Sequence, residues 1–168
     1  MTLTSPRPLH HIGITVSDIE AAIKWYADVL GYRVFTGPVL LELEADTRGQ
    51  LTDVLGPTFR KIKIAHLSTA TGCGIELFEP VDPPFERREH DVEFWKGGPI
   101  HFCVTDPDIE GLTARIVASG GRQLSKIWDD RPPSKMRMVY CQDPFGTVIE
   151  IHTHSYEVVQ GWRNAQPG

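Results

Sequence analysis

His11-Ile-Gly-Ile-Thr-Val-Ser-Asp18-Ile-Glu20 and His101-Phe-Cys-Val-Thr-Asp-Pro-Asp108-Ile-Glu110 superimpose without a gap. The offset, 101 minus 11, is 90 residues, and it also carries Gly31 onto Gly121. A histidine, an Asp-Ile-Glu and a glycine held in one register mark an internal repeat, so the chain reads as two copies of one unit. Each copy starts with a strand. Leu9 to Val16 is apolar and β-branched and ends at Ser17-Asp18, a polar boundary. Ile19, Ala22, Ile23, Tyr26 and Leu30 then recur at helical spacing, and Gly31 suits a left-handed residue past the helix end.

The start of that helix predicts a capping box between Ser17 and Glu20. In the second copy Asp106 is the expected cap, with Pro107 at the first helical position and Ile109, Leu112 and Ile116 as the apolar stripe. Extended segments follow each helix. They run roughly over 33–43, 61–69 and 74–79 in the first copy, and over 123–128, 136–142 and 147–154 in the second. Asp143-Pro144-Phe145-Gly146 has the composition of a tight turn.

The predicted organisation is therefore a flexible arm over 1–8, a βαβββ module over 9–80 and a linker over 81–98. A second βαβββ module over 99–156 and a tail over 157–168 complete it. The linker reading rests on its prolines and mixed charges. Between the second and third strands the first copy carries an insertion at 45–57, where Gln50 to Leu55 has the composition of a short helix. Its role is either a lid or a dimer contact.

Composition narrows the function. Of the 168 residues 40% are hydrophobic and 23% charged, which is a globular mix rather than a disordered one. A net charge of −5 argues against a nucleic-acid partner, and Arg87-Arg88 is surrounded by Glu86, Glu89 and Asp91. Cys73, Cys103 and Cys141 show no paired spacing and read as reduced thiols. No apolar run reaches the roughly 20 residues of a membrane span, and no signal peptide is evident. A cytoplasmic location without a membrane partner is the expectation.

The last strand of each copy holds a matching acid, Glu76 in Gly74-Ile-Glu-Leu-Phe and Glu150 in Val148-Ile-Glu-Ile-His. A carboxylate inside an apolar strand costs several kcal/mol unless a cation or hydrogen-bond donors meet it. Two histidines and two glutamates, one pair per copy, make a first shell for a borderline divalent ion. Such a shell leaves positions open for a bidentate substrate, so the ion can polarise a carbonyl and stabilise an enolate. His10 neighbours His11 on the opposite strand face, and His11 is chosen because it keeps register with His101. His152 and His154 share the face of Glu150, and His66 lies in the strand before Glu76. Arg33, Lys126, Arg131, Lys135 and Arg137 are either anchors for an anionic substrate or scattered surface cations.

These motifs, together with Pro99-Ile-His-Phe-Cys-Val and Asp143-Pro-Phe-Gly-Thr-Val-Ile-Glu-Ile, resemble the vicinal oxygen chelate superfamily over residues 9 to 156. That superfamily includes glyoxalase I, methylmalonyl-CoA epimerase, extradiol dioxygenases and bleomycin- and fosfomycin-resistance proteins. The resemblance implies an α+β fold of two tandem βαβββ modules forming a curled mixed sheet around a metal-lined cavity. It implies His11, Glu76, His101 and Glu150 as ligands of one zinc, nickel, cobalt, manganese or iron ion per chain. It further implies a homodimer and a small-molecule substrate. The second glutamate favours an epimerase, an isomerase or a glyoxalase-type lyase over oxygen chemistry. Glu150 and His152 are then the candidate proton-transfer residues. The alternatives are an iron-dependent ring-cleaving dioxygenase and a metal-free binding protein of the bleomycin-resistance kind.

Overall fold

The computed structural model of the chain describes residues 5–44, 48–90, 92–130 and 134–165. It divides into two compact units, Met1–Glu86 and Arg87–Gly168. Each is a mixed, open sheet with a helix packed on one face, so the expected α+β architecture is present as two sheets, one per unit.

In the first unit the strands are β1 (His11–Thr15), β2 (Arg33–Glu42), β3 (Lys61–Ser68) and β4 (Gly74–Asp82). Their order is β1-β4-β3-β2, with β1 parallel to β4 and the other pairs antiparallel. Helix α1 (Ile19–Leu30) connects β1 to β2. Alternation along the strands separates two faces. Ile14, Val16, Ala65, Leu67, Ile75 and Leu77 are buried, as are Ile19, Ala22, Tyr26 and Val29 on α1. His11, Gly13, Glu76 and Phe78 therefore lie on the other face, where β1 and β4 pair Gly13 with Glu76.

Helix α1 is capped by Asp18, whose Oδ1 accepts from the Ala21 amide at 2.9 Å, rather than by Ser17. The expected partner Glu20 instead reaches Lys63 at 3.5 Å, and Glu79 Oε2 accepts from the Ile19 amide at 2.8 Å. Gly31 takes the left-handed conformation expected of it, with φ 70°. Helix α2 (Arg48–Leu55) occupies the insertion and begins two residues before the expected Gln50; positions 45–47 lie outside the described residues.

Burial pushes the Tyr32 phenol well above its ordinary value, and the neighbouring Cys73 adds to the shift. A raised folded-state value favours the protonated folded chain. This stabilisation is complete below about pH 10, the unfolded value. It is lost as pH rises toward the folded one. Tyr32→Phe should therefore flatten the fall of stability above about pH 10, measured by urea unfolding at stepped pH.

The second unit repeats the plan. Its strands β5 (Phe102–Thr105), β6 (Arg122–Gln123), β8 (Arg137–Gln142) and β9 (Val148–His152) run in the order β5-β9-β8-β6, and β7 (Trp128–Asp129) also pairs with β8. The expected strand over 123–128 is thus broken into two short pieces. At the break Leu124 and Ser125 both donate their amides to the Tyr140 carbonyl, and the Ser125 hydroxyl accepts from the Tyr140 amide at 2.9 Å. Helix α3 (Ile109–Ala118) is capped by Asp108, not Asp106; Asp108 Oδ1 accepts from Gly111 N at 3.0 Å, while Asp106 Oδ1 accepts from Asp108 N. Pro107 accordingly precedes the cap. The caps Asp18 and Asp108 stand one repeat apart, 108 minus 18 being 90. The segment expected as a tail carries helix α4 (Tyr156–Ala165), with Val159 buried.

Gly121 matches Gly31 in sequence but serves a different purpose. The left-handed residue is Gly120, at φ 85°, whereas a Cβ on Gly121 would lie 2.5 Å from the Gln142 carbonyl oxygen and 2.7 Å from Ile116 Cγ2. Gly121→Ala should cost about 1–3 kcal/mol by overpacking this contact, read by urea unfolding. The turn at Asp143 forms as expected, with Asp143 Oδ1 accepting from Phe145 N at 2.9 Å and Thr147 N at 2.8 Å. No helix among the described residues is long and apolar enough to cross a membrane.

Candidate metal centre

In the first unit, His11 sits at the start of edge strand β1 opposite Gly74, the first residue of β4. A Cβ at Gly74 would stand 2.9 Å from His11 Cβ, so the glycine leaves room for the imidazole to lean across the ladder. His11 Nε2 lies 3.4 Å from Glu76 Oε2. From the other side, β3 pairs His66 directly with Glu76, and His66 Nε2 lies 3.1 Å from Oε1. Each oxygen of one carboxylate thus faces a different histidine. His10 precedes the strand and meets His11 edge-on, with their Nδ1 atoms 2.8 Å apart.

The second unit splits its carboxylate in the same way. His101 Nε2 lies 2.9 Å from Glu150 Oε2, and His152 Nε2 lies 3.0 Å from Oε1. A carboxylate only accepts, so in each contact the facing Nε2 of a neutral imidazole carries the proton. Two further groups converge here. Cys103 pairs with Glu150 across β5 and β9, and Tyr140 pairs with it across β8 and β9. The Tyr140 ring meets the His101 ring edge-on at 5.3 Å. Loss of water and the Glu150 charge push the Tyr140 phenol up to about 12, with a hydrogen bond to Glu150 contributing. The Cys103 thiol is pushed up to about 12 for the same reasons, although the residue as a whole is exposed. Desolvation at the sulfur is the main cause.

The two clusters differ in enclosure. The side chains of His11 and His66 are 47% and 49% exposed, whereas those of His101 and His152 are 25% and 15% exposed. The second-unit carboxylate is the drier one, and hydrogen bonds to it are correspondingly stronger.

The donor set suits a divalent ion. Neighbouring ligands about 2.1 Å from one ion stand about 3.0 Å apart at right angles and about 3.4 Å apart in a tetrahedron. The His–Glu spacings of 2.9 and 3.4 Å match this range without rearrangement. Imidazole and carboxylate are also the donors that borderline divalent metals accept.

Other expected site residues are placed differently. Strand β9 ends at His152, and His154 Nδ1 contacts the Thr153 hydroxyl at 2.9 Å instead of Glu150. Arg137 pairs with Glu110, and Arg33 lies over the Phe35 ring at 4.6 Å. Lys135 has a left-handed backbone at φ 60°, Lys126 lends its carbonyl to the Ser125 hydroxyl, and Arg131 lies outside the described residues. Sequence reasoning passed over Cys103 and Tyr140. Cys103 was within reach, since it follows His101 by two positions on the same strand face. Tyr140 required the β8–β9 register.

A family model described as the glyoxalase/bleomycin resistance protein/dioxygenase superfamily matches residues 8–151, and the chain belongs to that superfamily. Among curated proteins, it is similar to a 2-epi-5-epi-valiolone epimerase from an Actinomyces species, at 23% identity over 146 residues, covering 85% of this chain and 77% of the relative. Among solved structures, a glyoxalase family protein from Bacillus cereus shares the fold with a TM-score of 0.70 and 20% identity, covering 90% of this chain and 97% of that one. The fosfomycin resistance protein FosX from Listeria monocytogenes, solved with Mn(II) and sulfate, gives a TM-score of 0.56 and 15% identity, with coverage of 91% and 97%.

The alternation of strand faces makes the choice of histidine testable. His11→Ala and His101→Ala should each weaken divalent-metal binding by at least about tenfold. His10→Ala should leave it unchanged, as measured by calorimetric titration. Loss of metal in His10→Ala with retention in His11→Ala would reverse the assignment.

Proposed function

We propose that the chain is a divalent-metal-dependent epimerase or isomerase, or a glyoxalase-type lyase, that transfers a proton next to a carbonyl of a small substrate with neighbouring oxygens. The observation that carries this reading is the repeated contact of a histidine Nε2 with a glutamate Oε2, at 3.4 Å for His11–Glu76 and 2.9 Å for His101–Glu150. In this reading His11, Glu76, His101 and Glu150 are the donors for a divalent ion, of zinc, nickel, cobalt, manganese or iron. When bound, such an ion polarises a carbonyl oxygen and so acidifies the neighbouring C–H.

The protein's own part is proton transfer. Glu150 has Oε2 turned toward His101 and Oε1 turned toward His152. In this reading Glu150 takes the substrate proton, and the Nε2–H of His152, 3.0 Å from Oε1, is the donor placed to return one. Tyr140 stands beside Glu150 in the β8–β9 register, where burial and the Glu150 charge keep its phenol protonated. The epimerase name of the curated relative supports the same chemistry, because inverting a centre beside a ketone proceeds through removal and return of a proton.

The test is turnover in deuterated water with a panel of polyhydroxy ketones, acyl thioesters and hemithioacetals. Deuterium should enter the carbon beside the carbonyl, with zinc or manganese sufficient for activity. Product formation that required both iron and oxygen, with no solvent hydrogen entering carbon, would overturn this reading.

A further inference from the structure

The second unit holds a donor set that the first unit lacks. Register places Cys103 and Gly13 at equivalent positions, each opposite the glutamate of its own sheet. His152 stands two residues after Glu150, where Phe78 stands two residues after Glu76. In the first unit that space is filled, since a Cβ on Gly13 would meet Phe78 Cε2 at 3.2 Å. In the second unit the same two positions carry a thiol and an imidazole. One ligand atom each from Cys103, Glu150 and His152 lie within 4.8 Å of one another. The Cys103 thiol donates to the Val104 carbonyl at 3.6 Å, and Cys103 stands opposite Glu150 in the β5–β9 register. The Nδ1 atom of His152 is buried and has no hydrogen-bond partner.

We propose that Cys103, Glu150 and His152 form a cation site selective for thiophilic divalent ions, built entirely within the second unit. A sulfur, a nitrogen and an oxygen from adjacent strands make a softer set than two histidines and two glutamates, and they favour zinc or cobalt over manganese or magnesium. Binding forms a sulfur–metal bond and releases the thiol proton to solvent, with no change in oxidation state. The inference rests on the geometry of this unit and not on the four-residue reading. The two are nevertheless coupled through Glu150 and His152, because a soft ion held here occupies the groups assigned to proton transfer. Excess zinc should then act as an inhibitor, whereas excess manganese should not.

The test uses the full chain carrying His11→Ala and Glu76→Gln, which removes the first-unit donors, and cobalt(II) as the probe. Cobalt should still bind and should produce the near-ultraviolet absorption of a cobalt–thiolate bond. Adding Cys103→Ser, or Cys103→Ala as a second form, should abolish the band and weaken cobalt binding by at least about tenfold. Cys73→Ser should leave both intact. Absence of cobalt binding, binding without the band, or a band that survives loss of Cys103 would each overturn the proposal. Manganese uptake by the unmodified chain reports separately on the four-residue set. A chain that takes up manganese but shows no cobalt–thiolate band therefore refutes this site and leaves the other reading standing.

Discussion

Removing divalent metal from the purified chain with a chelator should lower its melting temperature by about 5–10 °C, and adding manganese or zinc should restore it. An ion that binds only the folded chain stabilises by about 2.7 kcal/mol when its free concentration is a hundred times Kd. For a chain of this size each kcal/mol shifts the midpoint by about 2–4 °C. The effect has a structural cause in the second unit. Glu150 is only 13% exposed and is met by two imidazoles, a phenol and a thiol. Those groups keep its charge solvated without an ion, so the apo chain should remain folded rather than collapse. A scan showing the same midpoint with and without chelator, combined with no metal by elemental analysis, would remove the metal from the proposed function.

Glu150→Gln should reduce solvent-deuterium exchange into substrate by about 10²- to 10⁴-fold, the usual contribution of a positioned acid–base group. The amide keeps the shape of the side chain but cannot take a proton. His152→Ala should cause a smaller loss, because water can replace a proton donor more readily than a base. His154→Ala should leave exchange within about twofold, since the structure turns that side chain toward Thr153. Equal losses in Glu150→Gln and His154→Ala would place the base elsewhere on the strand.

Much of this architecture was legible from the repeat. The 90-residue offset identified two copies, their helices and the histidine at or just before each first strand. The terminal glutamates followed from an acid embedded in an apolar strand. These features are local, because strand alternation and helix spacing are written in neighbouring residues. The same offset contained the correct caps, Asp18 and Asp108, but local composition drew attention to Ser17 and Asp106 instead. Cap choice depends on which side chain reaches the third amide of the helix, and that is a matter of backbone conformation.

Pairing between strands was decided only by the tertiary structure. No sequence pattern states that β3 sets His66 against Glu76, or that β8 sets Tyr140 against Glu150. These contacts join residues 10 apart in each case, across turns whose lengths set the register. The break between β6 and β7 arose from Ser125 bonding to the Tyr140 backbone, an interaction that a run of extended-favouring residues does not reveal. Gly121 shows the same division. Its place in the repeat was visible in sequence, but its purpose was set by the Gln142 carbonyl lying 2.5 Å from where a side chain would begin. The sequence determined the repeated elements and their candidate ligands, since periodicity acts over a few residues. Tertiary structure decided which groups surround each carboxylate, since contact across a sheet depends on register.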